Sequence, residues 1–167
     1  CGMLMSVVGG LSSGCVFPEL AGTRAVVIGA ETGSGRAIAE ALARHRARLV
    51  LQGAPGAFDA DAAHADLGGE ATGLMCLTAA LSRPADALTA AQRALAVFSG
   101  ADVAVTVVAL TREAMADAIA ADRIEDLVAD TLSTAAEVTK VAVNRMAITW
   151  TKGCVLTVLD VPAELTG

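Results

Sequence analysis

The sequence predicts an α/β fold: a three-layer, doubly wound parallel sheet with strands in the order 3-2-1-4-5 and helices on both faces. Three observations carry this. Short continuous apolar runs alternate with longer stretches of helical periodicity. A glycine-rich turn joins the first apolar run to the first helix. The hydrophobic content, 54% of 167 residues, comes mainly from Ala, Val and Leu and includes only 2% aromatic residues. That composition suits helices packed on a buried sheet and offers no stacking platform for bases. At this length a single domain buries roughly two-thirds of the surface its unfolded chain would expose. We divide the chain into a leader over residues 1–20, uncharged as far as Pro18, and one domain over residues 21–167.

The elements follow in order. Residues 25–29 (AVVIG) form an unbroken apolar run between Arg24 and the glycine turn, the pattern of a parallel strand buried on both faces. Over residues 34–45, Ile38, Ala41 and Leu42 recur at helical spacing while Arg36, Glu40 and Arg44 take the other side. Residues 48–52 read as the second strand. Residues 54–73 are rich in Gly, Ala and Asp and read as a loop or one weak helix. Residues 74–78 give a third strand. Pro84 suits the first turn of a helix over residues 85–98, with Ser82 as its cap and Gly100 beyond its end. Residues 102–109 (DVAVTVVA) are a clear fourth strand, Ile124–Ile148 a long amphipathic helix, and residues 154–159 a fifth strand. Strands alternating with helices at this spacing imply right-handed crossovers.

Gly29, Gly33 and Gly35 fall where the first strand becomes the first helix. Gly29 lets the chain turn off the strand, Gly33 lets backbone approach a pyrophosphate with no Cβ in the way, and Gly35 lets the helix pack closely on the sheet. Free N–H groups around residues 34–37, at the positive end of the helix, would then meet phosphates. A tight strand-to-helix turn also needs glycine for structural reasons alone, so the pattern admits both uses.

The segment IGAETGSG at residues 28–35 resembles the TGxxxGxG loop of the short-chain dehydrogenase/reductase family. GRAIAEALARHRARLVLQG resembles that family's first helix and second strand, and weaker likenesses lie in SRPADALTAAQRALAVFSGADVAV at residues 82–105 and in the helix through Met146 followed by GCVLTVL. The resemblance implies a Rossmann-like fold, an NAD(P)-dependent oxidoreductase, and a cofactor held by Gly29, Glu31, Thr32, Gly33, Ser34, Gly35 and Arg36. It also exposes departures. Ile28 replaces the loop threonine, Ala80 stands where an adenine-contacting Asp is expected, and Thr106–Ala109 replaces an NNAG motif. The catalytic Asn position reads Thr131 and the catalytic Ser position Asp160, and the sequence contains no Tyr for a YxxxK pair. In this family a Tyr with a Lys-lowered pKa protonates the developing alkoxide. An ionised Asp160 would be a poor acid beside an oxyanion. No catalytic residue is therefore assigned, and two readings stand: an NAD(P)-binding oxidoreductase domain, incomplete or impaired, or a non-catalytic binding or assembly subunit. Gly53 occupies the place of the carboxylate that would hold the ribose of NAD, and Ala54 that of an Arg for the 2′-phosphate of NADP. The missing carboxylate favours NADP, with Arg36 as a phosphate partner.

The remaining features limit the partners. Net charge is −6 with a pI near 4.8, which gives little grip on nucleic acid. Cys1, Cys15, Cys76 and Cys154 form no CxxC and read as free thiols in the cytoplasm. MLMSVVGGL is short, glycine-broken and preceded by no Lys or Arg, so neither a membrane span nor a signal peptide is expected. Asp59, Asp61, His64, Asp66 and Glu70 lack the order of a calcium loop and read as a solvated acidic stretch. His45 suits the end of the first helix, Trp150 an anchor at a helix end or interface, and no GxSxG elbow exists. The apolar positions of Ile124–Ile148 serve either its own sheet or a homodimer contact with a second copy.

Overall fold

The computed structural model describes residues 18–80, 84–149 and 151–161. A single turn, Pro18–Leu20, precedes β1 (Arg24–Ile28), α1 (Gly33–Arg44), β2 (Arg48–Gly53), α2 (Ala60–Leu67), β3 (Gly73–Thr78) and α3 (Pro84–Ala96). β4 (Val103–Ala109), α4 (Arg112–Ala120), α5 (Ile124–Ile148) and β5 (Cys154–Asp160) complete the order. The five strands are parallel and lie as β3-β2-β1-β4-β5. This is the Rossmann-like arrangement the apolar runs predict. Ser82, Trp150 and residues 1–17, which include most of the expected leader, lie outside the described residues.

The register explains why the strands read as continuous apolar runs. Val26 lies opposite Val50 and Ala104, so one row of side chains crosses the sheet. Ala25, Val27, Leu49, Leu51, Val105 and Val107 point to one face, under α1 and α2. Val26, Ile28, Val50 and Ala104 point to the other, under α3 and α5. Both faces are dry, so alternation disappears from the sequence. Leu49 and Leu51 are wholly buried, each worth about 1.5–3 kcal/mol relative to exposure. Alanine lines the helix sides of both cores (Ala39 and Ala43; Ala87, Ala91 and Ala94), which brings the helix axes close to the sheet.

At the amino-terminal edge of the sheet Arg24 on β1 meets Asp102, just before β4, and the Arg48 guanidinium lies 4.5 Å above the Phe98 ring. His45 stands at the C-terminal cap of α1, as its position in the sequence suggests.

One region settles between the two expected forms, a loop or one weak helix, and another departs from the sequence expectation. The acidic stretch is largely α2: Asp59 caps it by accepting from Ala62 N–H at 2.9 Å, and the His64 ring meets the Ala60 carbonyl. Between Ala109 and Ile124, where the sequence suggests no element, α4 is capped by Thr111, whose hydroxyl accepts from Ala114 N–H at 3.1 Å. Asp122 closes that helix at φ 53°, a left-handed position usually marked by glycine. No helix among the described residues is long and apolar enough to cross a membrane.

Candidate functional site

The site lies at the carboxyl ends of β1 and β4, where the strand order reverses and the two following connections diverge to opposite faces of the sheet. Ligands of open α/β sheets bind in such crevices. The turn that builds it is pinned from several sides. Gly29 adopts φ +84°, and the N–H groups of Gly29 and Ala30 both donate to the Gln52 carbonyl at 3.0 Å. A Cβ at Gly29 would lie 2.2 Å from the Val107 carbonyl oxygen. A Cβ at Gly35 would lie 2.1 Å from the Gly29 carbonyl oxygen, so α1 starts with backbone against backbone.

Thr32 organises the helix start. Its hydroxyl donates to the Gly29 carbonyl at 2.8 Å and accepts from Gly35 N–H at 2.9 Å, and its carbonyl accepts from Arg36 N–H at 2.9 Å. This corrects the expectation of free N–H groups across residues 34–37, because those of Gly35 and Arg36 are already engaged. Among the described residues the N–H groups of Gly33 and Ser34 donate to nothing, and they sit at the positive end of the α1 dipole. A Cβ at Gly33 would meet no atom within 4 Å. The three glycines thus divide: Gly29 and Gly35 are demanded by packing, and Gly33 faces open space.

Two hollows flank the turn. The larger, about 440 Å³, runs between Thr32, Val107, Val108, Leu127 and Thr131. The smaller, about 110 Å³, lies between Ala39, Leu51, Phe58 and Leu67, with Arg36 and Asp66 at its side. Glu31 and Ala57 border both. The Glu31 carboxylate has one buried oxygen, Oε2, without a hydrogen-bond partner. Arg36 bridges two acids: Nε donates to Glu40 Oε1 at 3.1 Å and Nη2 to Asp66 Oδ2. Both raise the guanidinium pKa, Glu40 through its hydrogen bond foremost. After β2, the Phe58 side chain packs on Gly53, where a Cβ would lie 2.3 Å from the Phe58 Cβ and Cγ. Gln52 is buried, its amide nitrogen donating to the Ala79 carbonyl at 2.6 Å and to the Gly53 carbonyl at 3.2 Å.

All seven residues Gly29, Glu31, Thr32, Gly33, Ser34, Gly35 and Arg36 therefore belong to one turn, with Glu31, Thr32 and Arg36 bordering the hollows. Thr131 also faces the larger hollow, but its hydroxyl donates to the Leu127 carbonyl at 2.7 Å. Asp160 ends β5 and does not border the hollow; its carbonyl accepts from Leu110 N–H. Ala57 and Thr134 border it without any signal in the sequence, since Ala57 arrives from the loop after β2 and Thr134 from the middle of α5, while Val107 lies in the segment that replaces the NNAG motif.

The model of the short chain dehydrogenase family matches residues 23–163, which include the turn, the sheet and α5. This chain belongs to the short chain dehydrogenase family. No curated protein matches it. Among solved structures it resembles a short-chain dehydrogenase from Oenococcus oeni (TM-score 0.66, 18% identity, covering 86% of this chain and 61% of that one). It also resembles an NADH-dependent reductase complexed with NAD (TM-score 0.63, 22% identity, 84% and 60%). A third likeness is an alcohol dehydrogenase from Thermococcus sibiricus complexed with 5-hydroxy-NADP (TM-score 0.58, 21% identity, 80% and 56%). The short chain dehydrogenase fold is thus present in a chain spanning about three-fifths of the length of these structures.

Proposed function

We propose that the crevice binds a nicotinamide dinucleotide and that the chain acts as the cofactor-binding domain of an oxidoreductase. The observation that carries the proposal is Gly33: its missing Cβ leaves open space beside the two unengaged N–H groups at the start of α1. Two solved relatives in fold are complexed with NAD and 5-hydroxy-NADP, which supports the same ligand class here.

The residues present fit such a ligand. The N–H groups of Gly33 and Ser34 and the Ser34 hydroxyl would hold the pyrophosphate. Gly29 and Gly35 shape the turn, Thr32 holds it, and Glu31 and Arg36 border the smaller hollow on the adenosine side. Val107, Val108 and Thr131 would border the nicotinamide end. When bound, the dinucleotide supplies or accepts a hydride. The chain's own contribution to a proton is weak, since the sequence has no Tyr and Thr131 already donates to Leu127. The second reading is a non-catalytic binding or assembly subunit, favoured by Thr131 and Asp160 at the catalytic Asn and Ser positions.

The absent carboxylate at Gly53 keeps NADP as the favoured form, with Arg36 as its partner once Asp66 releases it. Exposed apolar residues on α5, among them Leu132 and Val143, support a homodimer through Ile124–Ile148. The thiols of Cys76 and Cys154 are unpaired, which suits the cytoplasm. Calorimetric or fluorescence titration with NADPH and NADH tests the binding proposal. Saturable binding is expected, and its absence up to millimolar cofactor would overturn it.

A further inference from the structure

We propose that the larger hollow takes the positively charged end of the substrate, an organic ammonium or iminium group, between the carboxylates of Glu31 and Asp130. The inference rests on the dinucleotide reading above and names the class of molecule that would sit beside the cofactor.

The charges that border the hollow have one sign. Glu31, on the turn after β1, and Asp130, on α5, both border the space of about 440 Å³. Among the described residues no Lys, Arg or His borders it. Neither carboxylate is neutralised from elsewhere. Arg36, on the same turn as Glu31, is engaged by Glu40 and Asp66. Arg123 borders a neighbouring hollow together with Asp130, but Asp130 makes no ion pair among the described residues. Glu31 goes further, because its Oε2 is buried and has no hydrogen-bond partner. A carboxylate oxygen shut away from water without a donor forfeits its solvation, and a ligand that brings positive charge and N–H groups restores it.

The neutral groups lean the same way. Thr32 gives its proton to the Gly29 carbonyl and Thr131 to the Leu127 carbonyl, so both hydroxyls offer a ligand only lone pairs. Thr134 is 5% exposed, borders the hollow, and its hydroxyl has no partner among the described residues. With the N–H groups of Gly33 and Ser34 given to the pyrophosphate, acceptors outnumber donors around the space. Val107, Val108 and Leu127 supply an apolar wall for the hydrocarbon body, and the volume lies in the range of small-molecule pockets.

The dinucleotide strengthens the selection. Its pyrophosphate, at the start of α1, would add negative charge beside Glu31. A substrate bearing a carboxylate or phosphate would then meet three groups of its own sign, whereas an ammonium is attracted by all three.

The test titrates the full chain with three probes of one shape, 2-phenylethylammonium, 2-phenylethanol and 3-phenylpropionate. Calorimetry is run at constant ionic strength, with and without NADPH. The ammonium is expected to bind at least about tenfold more tightly than the alcohol, with the carboxylate weakest, and saturating NADPH should widen the gap. Glu31→Gln and Asp130→Asn should each lower ammonium affinity about fivefold and leave that of the alcohol unchanged. Thermal midpoints check folding; if Glu31→Gln unfolds the chain, Asp130→Asn, at an exposed position, decides. Equal affinities for ammonium and alcohol overturn the proposal, as does a charge preference that survives both substitutions. Loss of NADPH affinity in Glu31→Gln with ammonium binding intact assigns the Glu31 oxygen to the cofactor and also overturns it. NADPH bound without any ammonium preference sinks this inference alone. Ammonium preference without NADPH binding up to millimolar sinks the dinucleotide reading and leaves the cation site standing.

Discussion

Arg24 and Asp102 clamp the amino-terminal edge of the sheet. Nη2 donates to Oδ1 at 2.7 Å and Nε to Oδ2 at 3.0 Å, while the Arg24 backbone N–H also donates to Oδ2 at 2.9 Å. One carboxylate thus fixes both the side chain and the backbone of β1 against the entry to β4. Its hydrogen bonds to Arg24 hold its pKa below the usual carboxylate value.

That depression sets a pH dependence. The carboxylate contributes stability above its unfolded pKa, about 3.9, and the contribution is lost as pH falls through the lower folded value. Asp102→Asn should lower stability at pH 7 by about 1–2 kcal/mol in urea denaturation. The gap between the parent and the variant should close as pH drops below about 4. A gap unchanged at pH 3 would show that the clamp does not act through the charge.

Gly35→Ala should be destabilising out of proportion to one methyl group. The new Cβ meets the Gly29 carbonyl, which is held by Thr32 and cannot rotate aside as a side chain would. A loss of about 1–3 kcal/mol is expected from such overpacking, read from the urea midpoint.

Gly33→Val should separate binding from folding. Its Cβ enters open space, so the thermal midpoint should change little, while dinucleotide affinity should fall by more than about tenfold. Equal affinity for the variant and the parent would remove Gly33 from the site.

Asp66→Asn frees one side of Arg36. NADPH affinity should rise severalfold while NADH affinity stays nearly constant, and the gain should shrink in high salt because Arg36 is exposed. Parallel titrations of the two cofactors read the difference directly.

Much of the fold is visible in the sequence because the sheet is buried on both faces. β1 and β4 announce themselves as runs such as AVVI and VAVTVVA, and Ile124–Ile148 has helical periodicity along its whole length. α4 is hidden for a physical reason. Its only fully buried residue is Ala118, so it carries almost no amphipathic signal, and it ends at Asp122 rather than at a glycine. The turn of the candidate site is equally visible, but its hydrogen bonding is not. That Asp66 holds Arg36 depends on a contact across 30 residues that no local pattern encodes, whereas the Thr32 cap on Gly35 and Arg36 and the cover of Phe58 over Gly53 are local contacts to which the glycine spacing gives no clue.

The division among the glycines bears on how such a motif is inherited. Gly29 is closed in by the Val107 carbonyl and by its left-handed backbone, and Gly35 by the Gly29 carbonyl, so both resist substitution whether or not a nucleotide ever enters the crevice. A lineage that gave up its cofactor would keep both for the sake of folding and would be free to change Gly33. Persistence of the outer glycines records the architecture, whereas the middle one records use.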